Sequence, residues 1–323
     1  MGEEAEEFLK ALTDTKLGVV AVCGKYRTGK SYLMNKLFVE TYFRPTGAKS
    51  GFQVSPTINA CTKGLWLWKR VIKAETAGGS EVSLIVVDTE GLGAYDEDEN
   101  HDAKIFLLAL LLSSLLIYNS VGTIDENALN SLSLVINLSK QIQLRADGKQ
   151  EDPEALAKMF PSFLWVLRDF ALKLVDTDGN TLSPKQYLES ALREQKGCSE
   201  ATESKNRLRR LLSHFFPERD CCTLVRPTEQ EKNLQALISL PDSDLRQEFV
   251  QQMAKLRQKV MTKARVKSIN GHALNGPMLI ELANSYIKAL NEGQVPVIEN
   301  AWTNVQKFEQ ERAYKAAQNY YLQ

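Results

Sequence analysis

The sequence predicts an α/β fold, in which a mostly parallel β-sheet is covered by helices on both faces and is followed by an α-helical segment. Over the first 240 residues, short apolar runs of strand length alternate with stretches of helical spacing. A glycine-rich loop joins the first of these strands to a helix. From residue 242 onward, only helical spacing is found. We therefore expect one domain at residues 1–240 and the beginning of a helical domain at residues 241–323.

The composition is that of an ordinary globular chain and excludes several functional classes. Hydrophobic residues make up 43% and charged residues 25% of the 323 positions. Basic and acidic residues number 40 each, so the net charge is zero and no nucleic-acid partner is expected. Five cysteines without a C-x-x-C pair and three scattered histidines predict neither a disulfide framework nor a zinc site.

The same features bear on the compartment. An odd number of unpatterned cysteines fits a reducing environment. The first ten residues are acidic and unlike a secretory signal, and the longest apolar stretch, at 105–118, is too short to span a bilayer. We expect a cytoplasmic protein and keep the nucleus open. Association with a membrane or a condensate would need segments that are absent here.

Residues 24–31 form the strongest motif, because their sequence GKYRTGKS fits the phosphate-loop pattern G-x-x-x-x-G-K-[ST]. An apolar strand precedes the loop and a helix start follows it, so backbone N–H groups and the helix dipole favour an anion. Lys30 would reach the β- and γ-phosphates, and the Ser31 hydroxyl would bind Mg²⁺. The predicted nucleotide-binding residues are Gly24, Lys25, Tyr26, Arg27, Thr28, Gly29, Lys30, Ser31 and Tyr32. The alternative is a glycine-rich turn that binds nothing.

The remaining elements follow from periodicity and from turn residues. A loop is expected at 38–50, where proline and glycine accumulate. Strands are predicted at 64–70, 82–87, 163–167 and 222–225, and residues 105–118 predict a buried helix that runs into a core strand. Helices are predicted at 125–142, 183–193, 204–215, 245–266, 277–290 and 297–321.

Three positions that follow or end strands, Gly24, Asp88 and Asp169, would converge at the carboxyl edge of a parallel sheet. Asp88 opens the sequence DTEGLG about sixty residues after the phosphate loop. In nucleotide-binding proteins, an acid at this place holds Mg²⁺, usually through water. The backbone N–H of Gly91 could then approach the γ-phosphate. The alternative reading of Asp88 is a cap at a strand end.

Three further side chains have weaker local signals. Thr62 lies in a loop between the phosphate loop and Asp88, where a threonine can close over Mg²⁺. The pair Arg168-Asp169 follows a strand, and a carboxylate there could accept the two N–H donors of guanine; the pair could equally be a solvated turn. Arg27 could fold over the phosphates as an arginine finger supplied in cis, or remain a solvated loop residue.

Together, these motifs resemble the guanylate-binding proteins, which are large GTPases of the dynamin superfamily. The residues that carry the resemblance are 24–37, 62–68, 88–93, 112–114, 118–120, 167–169 and 275–277. Small GTPases use an Asn-Lys-x-Asp base motif, whereas this family uses Arg-Asp, as found at Arg168-Asp169. The resemblance spans nearly the whole chain, and the remaining helical region of a typical member is missing.

The resemblance implies Mg²⁺-dependent hydrolysis of GTP to GDP and phosphate, coupled to formation of a homodimer through the nucleotide domains. The implied residues are Arg27, Lys30 and Glu90 for catalysis, Ser31, Thr62 and Asp88 for the metal, and Thr62, Asp88, Gly91, Arg168 and Asp169 for the nucleotide in addition to the loop. Whether GMP is also formed stays open.

One departure from the family pattern concerns residue 60. Animal members carry a serine two positions before the threonine of the Mg²⁺ loop, and this chain has Ala60. That serine is thought to help orient the attacking water. An alternative function is therefore a nucleotide-gated assembly module with slow turnover. An ATP-using P-loop protein is a third class, against which the Arg-Asp pair argues.

Overall fold

The structure of the protein is a computed structural model, which describes residues 1–43, 51–54, 62–75, 79–93, 99–132, 142 and 158–322. Its main element is a six-stranded sheet with the strand order β2-β3-β1-β4-β5-β6. The strands are β1 (Leu17–Cys23), β2 (Leu65–Glu75), β3 (Glu81–Thr89), β4 (Leu115–Val121), β5 (Ser162–Arg168) and β6 (Arg219–Thr223). All neighbouring pairs are parallel except β2 and β3, which confirms the mostly parallel sheet.

The helices surround this sheet and continue beyond it. They are α1 (Glu3–Lys10), α2 (Lys30–Met34), α3 (Glu40–Phe43), α4 (Glu99–Leu112), α5 (Glu126–Ser131), α6 (Pro184–Ala191), α7 (Glu200–Phe215), α8 (Glu231–Leu234), α9 (Gln247–Lys263), α10 (Gly276–Asn291) and α11 (Ile298–Tyr321). In the described part of the chain, no helix has both the length and the apolar character required to cross a membrane.

Two hydrophobic cores lie on the two faces of the sheet, because successive side chains of a strand point to opposite faces. Val19 and Ala21 of β1 belong to the core that also receives α4, α6, α7, α10 and the start of α11. Val20 and Val22 belong to the other core, which α2 and α9 cover. Since every residue of β1 is buried, the strand that leads into the glycine loop is held from both sides.

A π-helix (Asn35–Val39) connects α2 to α3, so the predicted loop at 38–50 is wrong in its first part. Phe38 and Val39 are buried in the second core, which keeps this stretch helical. Arg257 of α9 donates hydrogen bonds from Nε to the carbonyl oxygen of Leu37, at 3.0 Å, and from Nη2 to that of Lys36, at 2.9 Å. These bonds satisfy carbonyl groups beside the π-turn. Residues 44–50 lie outside the described part.

The other predicted elements are found with two corrections. The expectation of helices alone after residue 242 is wrong, because β7 (Ser268–Ile269) and β8 (His272–Ala273) form a small antiparallel hairpin. Its turn residues, Asn270 and Gly271, have positive φ angles of 49° and 80°, as two-residue hairpin turns require.

The last strand of the large sheet ends at Thr223 and begins three residues before the predicted strand at 222–225. The buried Cys221 pairs with Trp165 of β5, and this register fixes its position. The helix predicted at 125–142 is described only as α5, and most of its remainder lies outside the described residues.

Candidate functional site

The glycine loop between β1 and α2 needs both of its glycines. Gly24 has φ of 153°, and a Cβ atom there would lie 2.0 Å from the carbonyl oxygen of Asn119. Gly29 has φ of 77°, which L side chains rarely adopt. The loop can therefore take this path, close to the end of β4, only with glycine at these two positions.

Asn119 of β4 forms hydrogen bonds with the glycine loop. Its Nδ2 donates to the carbonyl oxygen of Thr28, at 3.0 Å, and to Thr28 Oγ1, at 2.9 Å. Thr28 Oγ1 in turn donates to the carbonyl oxygen of Lys25, at 2.7 Å. Sequence reasoning gave Asn119 no function, although a polar residue in an otherwise apolar strand was a signal. Asn119 therefore joins the glycine loop to β4 through Thr28.

Lys30 is nearly enclosed, with 6% of its surface exposed. Its Nζ lies 3.3 Å from the carbonyl oxygen of Lys25. Burial lowers the pKa of Lys30, and the negative charge of Asp88 opposes that shift. Glu90 and Asp102 act in the same direction as Asp88, so the ammonium at the loop lies in a negative environment, and it also lines the cavity described below.

Three oxygen atoms meet beside Lys30. Ser31 Oγ donates to Asp88 Oδ2 at 2.5 Å, and Thr62 Oγ1 lies 3.4 Å from each of these two atoms. Burial raises the pKa of Asp88, and the hydrogen bond from Ser31 opposes the shift. Two hydroxyls and one carboxylate are hard oxygen donors of the kind that Mg²⁺ prefers, so these residues fit the metal. Within the described ranges, no cluster of three or more His, Cys, Asp or Glu side chains offers a competing metal site.

The segment after β3 is joined to the glycine loop through its backbone. Tyr26 N–H donates to the carbonyl oxygen of Leu92 at 2.8 Å, and Leu92 N–H donates to that of Gly24 at 3.1 Å. A Cβ atom on Gly91 would lie 2.4 Å from Tyr26 Cα. Glycine at residue 91 is therefore a steric requirement of this contact.

Glu90 lies inside the site and already has partners. The residue is 3% exposed, and its Oε2 accepts a hydrogen bond from Gly64 N–H at 2.7 Å. His101 Nε2 lies 3.1 Å from the same oxygen. Glu90 Oε1 is buried without a hydrogen-bond partner among the described residues. The carboxylate therefore links the Thr62 loop to α4 and leaves one oxygen available.

A cavity of about 570 Å³ opens in front of the loop. The predicted residues that line it are Tyr26, Arg27, Gly29, Lys30, Ser31, Tyr32, Thr62, Gly91 and Arg168. The predicted residues that do not line it are Gly24, Lys25, Thr28, Asp88, Glu90 and Asp169. Residues 234–239, which follow α8 closely in the chain, form another wall that sequence reasoning missed. No local pattern in that segment indicated it.

The two residues of the Arg-Asp pair have different environments. Arg168 is 5% exposed, and its Nη1 donates to the carbonyl oxygen of Gly29 at 3.3 Å. Burial lowers the pKa of Arg168. Asp169 is exposed and has a positive φ of 55°, so it turns the chain outward at the end of β5. The buried arginine supports the loop, and the aspartate faces solvent.

Arg27 is an exposed residue of the loop. It has a positive φ of 61°, and its guanidinium lies 5.9 Å from the ring centre of Tyr26. Arg27 also lines the cavity. The finger function predicted for Arg27 stays a prediction.

The strand, glycine loop and helix at the carboxyl edge of this parallel sheet define the fold as that of a P-loop NTPase. The family model of the guanylate-binding protein N-terminal domain matches residues 1–269, and that of the C-terminal domain matches residues 270–323. The chain belongs to the guanylate-binding protein family, which confirms the resemblance predicted from its motifs.

Individual relatives agree with this membership. Guanylate-binding protein 1 of Mus musculus is 38% identical over 326 residues, which cover 99% of this chain and 53% of that protein. Guanylate-binding protein 1 of Homo sapiens is 38% identical over 327 residues, with the same two coverages. Guanylate-binding protein 5 of Homo sapiens is 37% identical over 328 residues, which cover 100% of this chain and 53% of that protein. The chain thus spans about half the length of these relatives.

Proposed function

We propose that this chain binds GTP with Mg²⁺ and hydrolyses it to GDP and phosphate. The observation that carries the proposal is the meeting of Ser31 Oγ, Thr62 Oγ1 and Asp88 Oδ2 beside the buried Lys30 at the glycine loop. Membership of a family named for guanylate binding supports the choice of nucleotide.

In this proposal, residues of the glycine loop and its neighbours bind the phosphates, hold the metal or position the loop. Lys30 and the backbone N–H groups at the start of α2 bind phosphate oxygens, since both favour negative charge. Ser31, Thr62 and Asp88 would hold Mg²⁺. When bound, the metal would neutralise charge on the phosphate oxygens. Asn119 and Arg168 keep the loop in position through Thr28 and Gly29.

Two side chains act on the reacting groups in this proposal. Arg27 would turn from Tyr26 toward the phosphates and stabilise the charge that develops during transfer. Glu90 has one carboxylate oxygen without a partner among the described residues, and that oxygen would accept a hydrogen bond from the attacking water. Because Glu90 also bonds to Gly64 N–H, the water would be placed relative to the Thr62 loop.

The base would be read by Asp169. A carboxylate accepts from the N1–H and N2–H₂ groups of guanine, and adenine lacks both of these donors. Asp169 follows the same strand end that carries Arg168 into the cavity wall. Competition of labelled GTP by GTP and by ATP tests this assignment, and equal competition by ATP would contradict it.

Turnover is the direct test of the reaction. We expect phosphate release from GTP that requires Mg²⁺, with GDP as the nucleotide product by chromatography, and any GMP would be detected in the same run. Ser31→Ala removes one proposed metal oxygen while α2 retains its backbone, so it should raise the Mg²⁺ concentration needed for activity. Thr303→Ala on α11 is a matched control that should leave this requirement unchanged.

Formation of a homodimer would depend on the presence of the γ-phosphate in the bound nucleotide. The Thr62 loop and the Gly91 loop both meet at the cavity, so a γ-phosphate with Mg²⁺ can order the two together, whereas GDP lacks the group that both would touch. We expect dimer with a non-hydrolysable GTP analogue and monomer with GDP or without nucleotide, measured by light scattering. The same mass in every state would contradict the coupling.

A nucleotide-gated assembly module with slow turnover is a second candidate. The observation in its favour is Ala60, which lies outside the described residues, where animal family members carry a serine. The steady-state turnover number separates the two candidates. A value far below one per minute combined with analogue-dependent dimers would favour the module.

A further inference from the structure

A second cavity, of about 530 Å³, opens at the amino-terminal edge of the sheet, opposite to the glycine loop. It is lined by residues that directly precede three parallel strands, namely 113–114 before β4, 158–161 before β5 and 217–218 before β6. Ser213 and His214 of α7 also line it, as do residues 265–268, which follow α9 and end in the first residue of β7. The function proposed above makes no use of this cavity.

Lys267 gives the cavity its chemical character. The residue is 5% exposed, and its Nζ donates one hydrogen bond, to the carbonyl oxygen of Ser113 at 2.9 Å. No carboxylate among the described residues forms an ion pair with it. An ammonium group has three N–H donors, so two of them have no hydrogen-bond acceptor among the described residues. Burial lowers the pKa of Lys267 to about 7, with no opposing charge.

The other charged groups of the cavity leave an excess of positive charge. Glu218 is already paired with Arg265, at 2.5 Å, and accepts a hydrogen bond from Ser162 Oγ, at 3.0 Å. Lys158 is exposed at the rim, and His214 Nε2 is buried without a partner among the described residues. A buried charge without a counter-ion is costly, so this arrangement favours an anion.

Apart from five serines, the remaining walls are apolar and favour an organic ligand. They are formed by Met159, Phe160, Pro161, Pro217 and Val266. We propose that this cavity is a second ligand site, which binds a small organic anion, a carboxylate or a phosphate with a short apolar body, as the counter-ion of Lys267. The anion and the proton of Lys267 then bind together, because each stabilises the other.

The cavity also lies close in the chain to residues 269–270, where the two matched family domains meet. Lys267 N–H donates to the carbonyl oxygen of Leu17 at 2.7 Å, and Ser114 Oγ donates to that of Arg265 at 2.8 Å. A Cβ atom on Gly18 would lie 2.4 Å from the Arg265 carbonyl oxygen, so the strand and the connection are in close contact. An anion at Lys267 would stabilise this connection.

Calorimetric titration of the chain with benzoate, in excess GDP to occupy the glycine loop, tests the proposal. In two buffers of different ionisation enthalpy, we expect uptake of nearly one proton per benzoate at pH 8.5 and little at pH 6, where Lys267 is already protonated. Affinity should fall several-fold or more between these two pH values. Phenylphosphate forms the second arm and decides which head group is preferred, and inorganic phosphate should bind more weakly than phenylphosphate.

Two variants provide the controls. Lys267→Gln can still donate to Ser113 but carries no charge, so it should lose at least tenfold in benzoate affinity at pH 6 and all proton uptake. Lys158→Gln at the exposed rim should lose a few-fold and keep the proton uptake. GTP turnover should be unchanged in both. Absence of binding to wild type at pH 6, or equal binding and no proton uptake in wild type and Lys267→Gln, would overturn the proposal.

Discussion

Two buried lysines lie at the two ends of the same sheet and differ in their partners. Lys30, at the carboxyl edge, is near the carboxylate of Asp88, whose charge opposes the effect of burial on the lysine pKa. Lys267, at the amino edge, has a single backbone carbonyl and no opposing charge, and its pKa falls to about 7. The buried lysine at the carboxyl edge thus has a nearby carboxylate, whereas no carboxylate among the described residues pairs with the buried lysine at the amino edge.

The largest expected effect concerns the carboxyl edge alone. Replacing Arg27 with alanine should lower kcat for GTP by about tenfold to 10³-fold, because an arginine finger acts on charge that develops in the transition state. The Kd for GTP should change much less. Single-turnover phosphate release and nucleotide binding measure the two quantities. Arg265→Gln, at the opposite edge, is the matched control, and an Arg27→Ala rate equal to wild type would show that this loop arginine is only a surface residue.

A smaller effect is expected at the base site. Asp169→Asn replaces an acceptor by a donor that faces guanine N1–H, and loss of charge-assisted hydrogen bonds costs about 1.5–3 kcal/mol, or roughly tenfold to a hundredfold in affinity. Fluorescence titration with a labelled GTP analogue measures it. Asp178→Asn, in an exposed turn after the same strand, should bind like wild type. Unchanged affinity in Asp169→Asn would remove the base assignment.

The last effect concerns the amino edge and depends on pH. The pKa of Lys267 is lower in the folded chain than in the unfolded chain, so between about pH 7 and pH 10 the unfolded state binds more protons. Stability from this group therefore rises with pH, by at most about 1.4 kcal/mol per unit, and is lost as pH falls toward 7. Lys267→Met should lack this rise.

Urea unfolding between pH 7 and pH 9.5 measures that difference, without added organic anions. The exposed Lys288→Met on α10 is the control and should follow the wild-type slope. Parallel curves for wild type and Lys267→Met would mean that the ammonium has a counter-ion in the folded chain and would remove the contrast between the two lysines.

What the sequence could predict was local in the chain. β1, the glycine loop and α2 follow one another directly within residues 17–34, so pattern and context agreed. The parallel sheet followed from unbroken apolar runs. Asp88 was found because it ends a buried strand. Ser31 lies within hydrogen-bond distance of Asp88 and Thr62, so the fold places these three residues together, and their function in metal binding stays a prediction.

What the sequence could not predict depends on distant contacts. The wall at 234–239 and the anchor at Asn119 act across the sheet edge, where no periodicity marks them. Strands of two residues, such as β7 and β8, are too short to show alternation. Lys267 stands between Val266 and Ser268, a context that gave no sign of burial, because the other residues around the cavity come from distant parts of the chain.

The π-helix at Asn35–Val39 also determines what the deletion of one residue would do to this part of the chain. A π-turn holds one more residue than an α-turn, and Arg257 occupies the carbonyl groups of Lys36 and Leu37 beside it. Deleting one residue from this stretch would restore a regular α-helix and rotate everything after it by about 100° around the helix axis. Lys30 and Ser31, which precede the π-turn, would stay in place. The additional residue therefore sets the orientation of α3 about the helix axis, whereas the glycine loop before it does not depend on it.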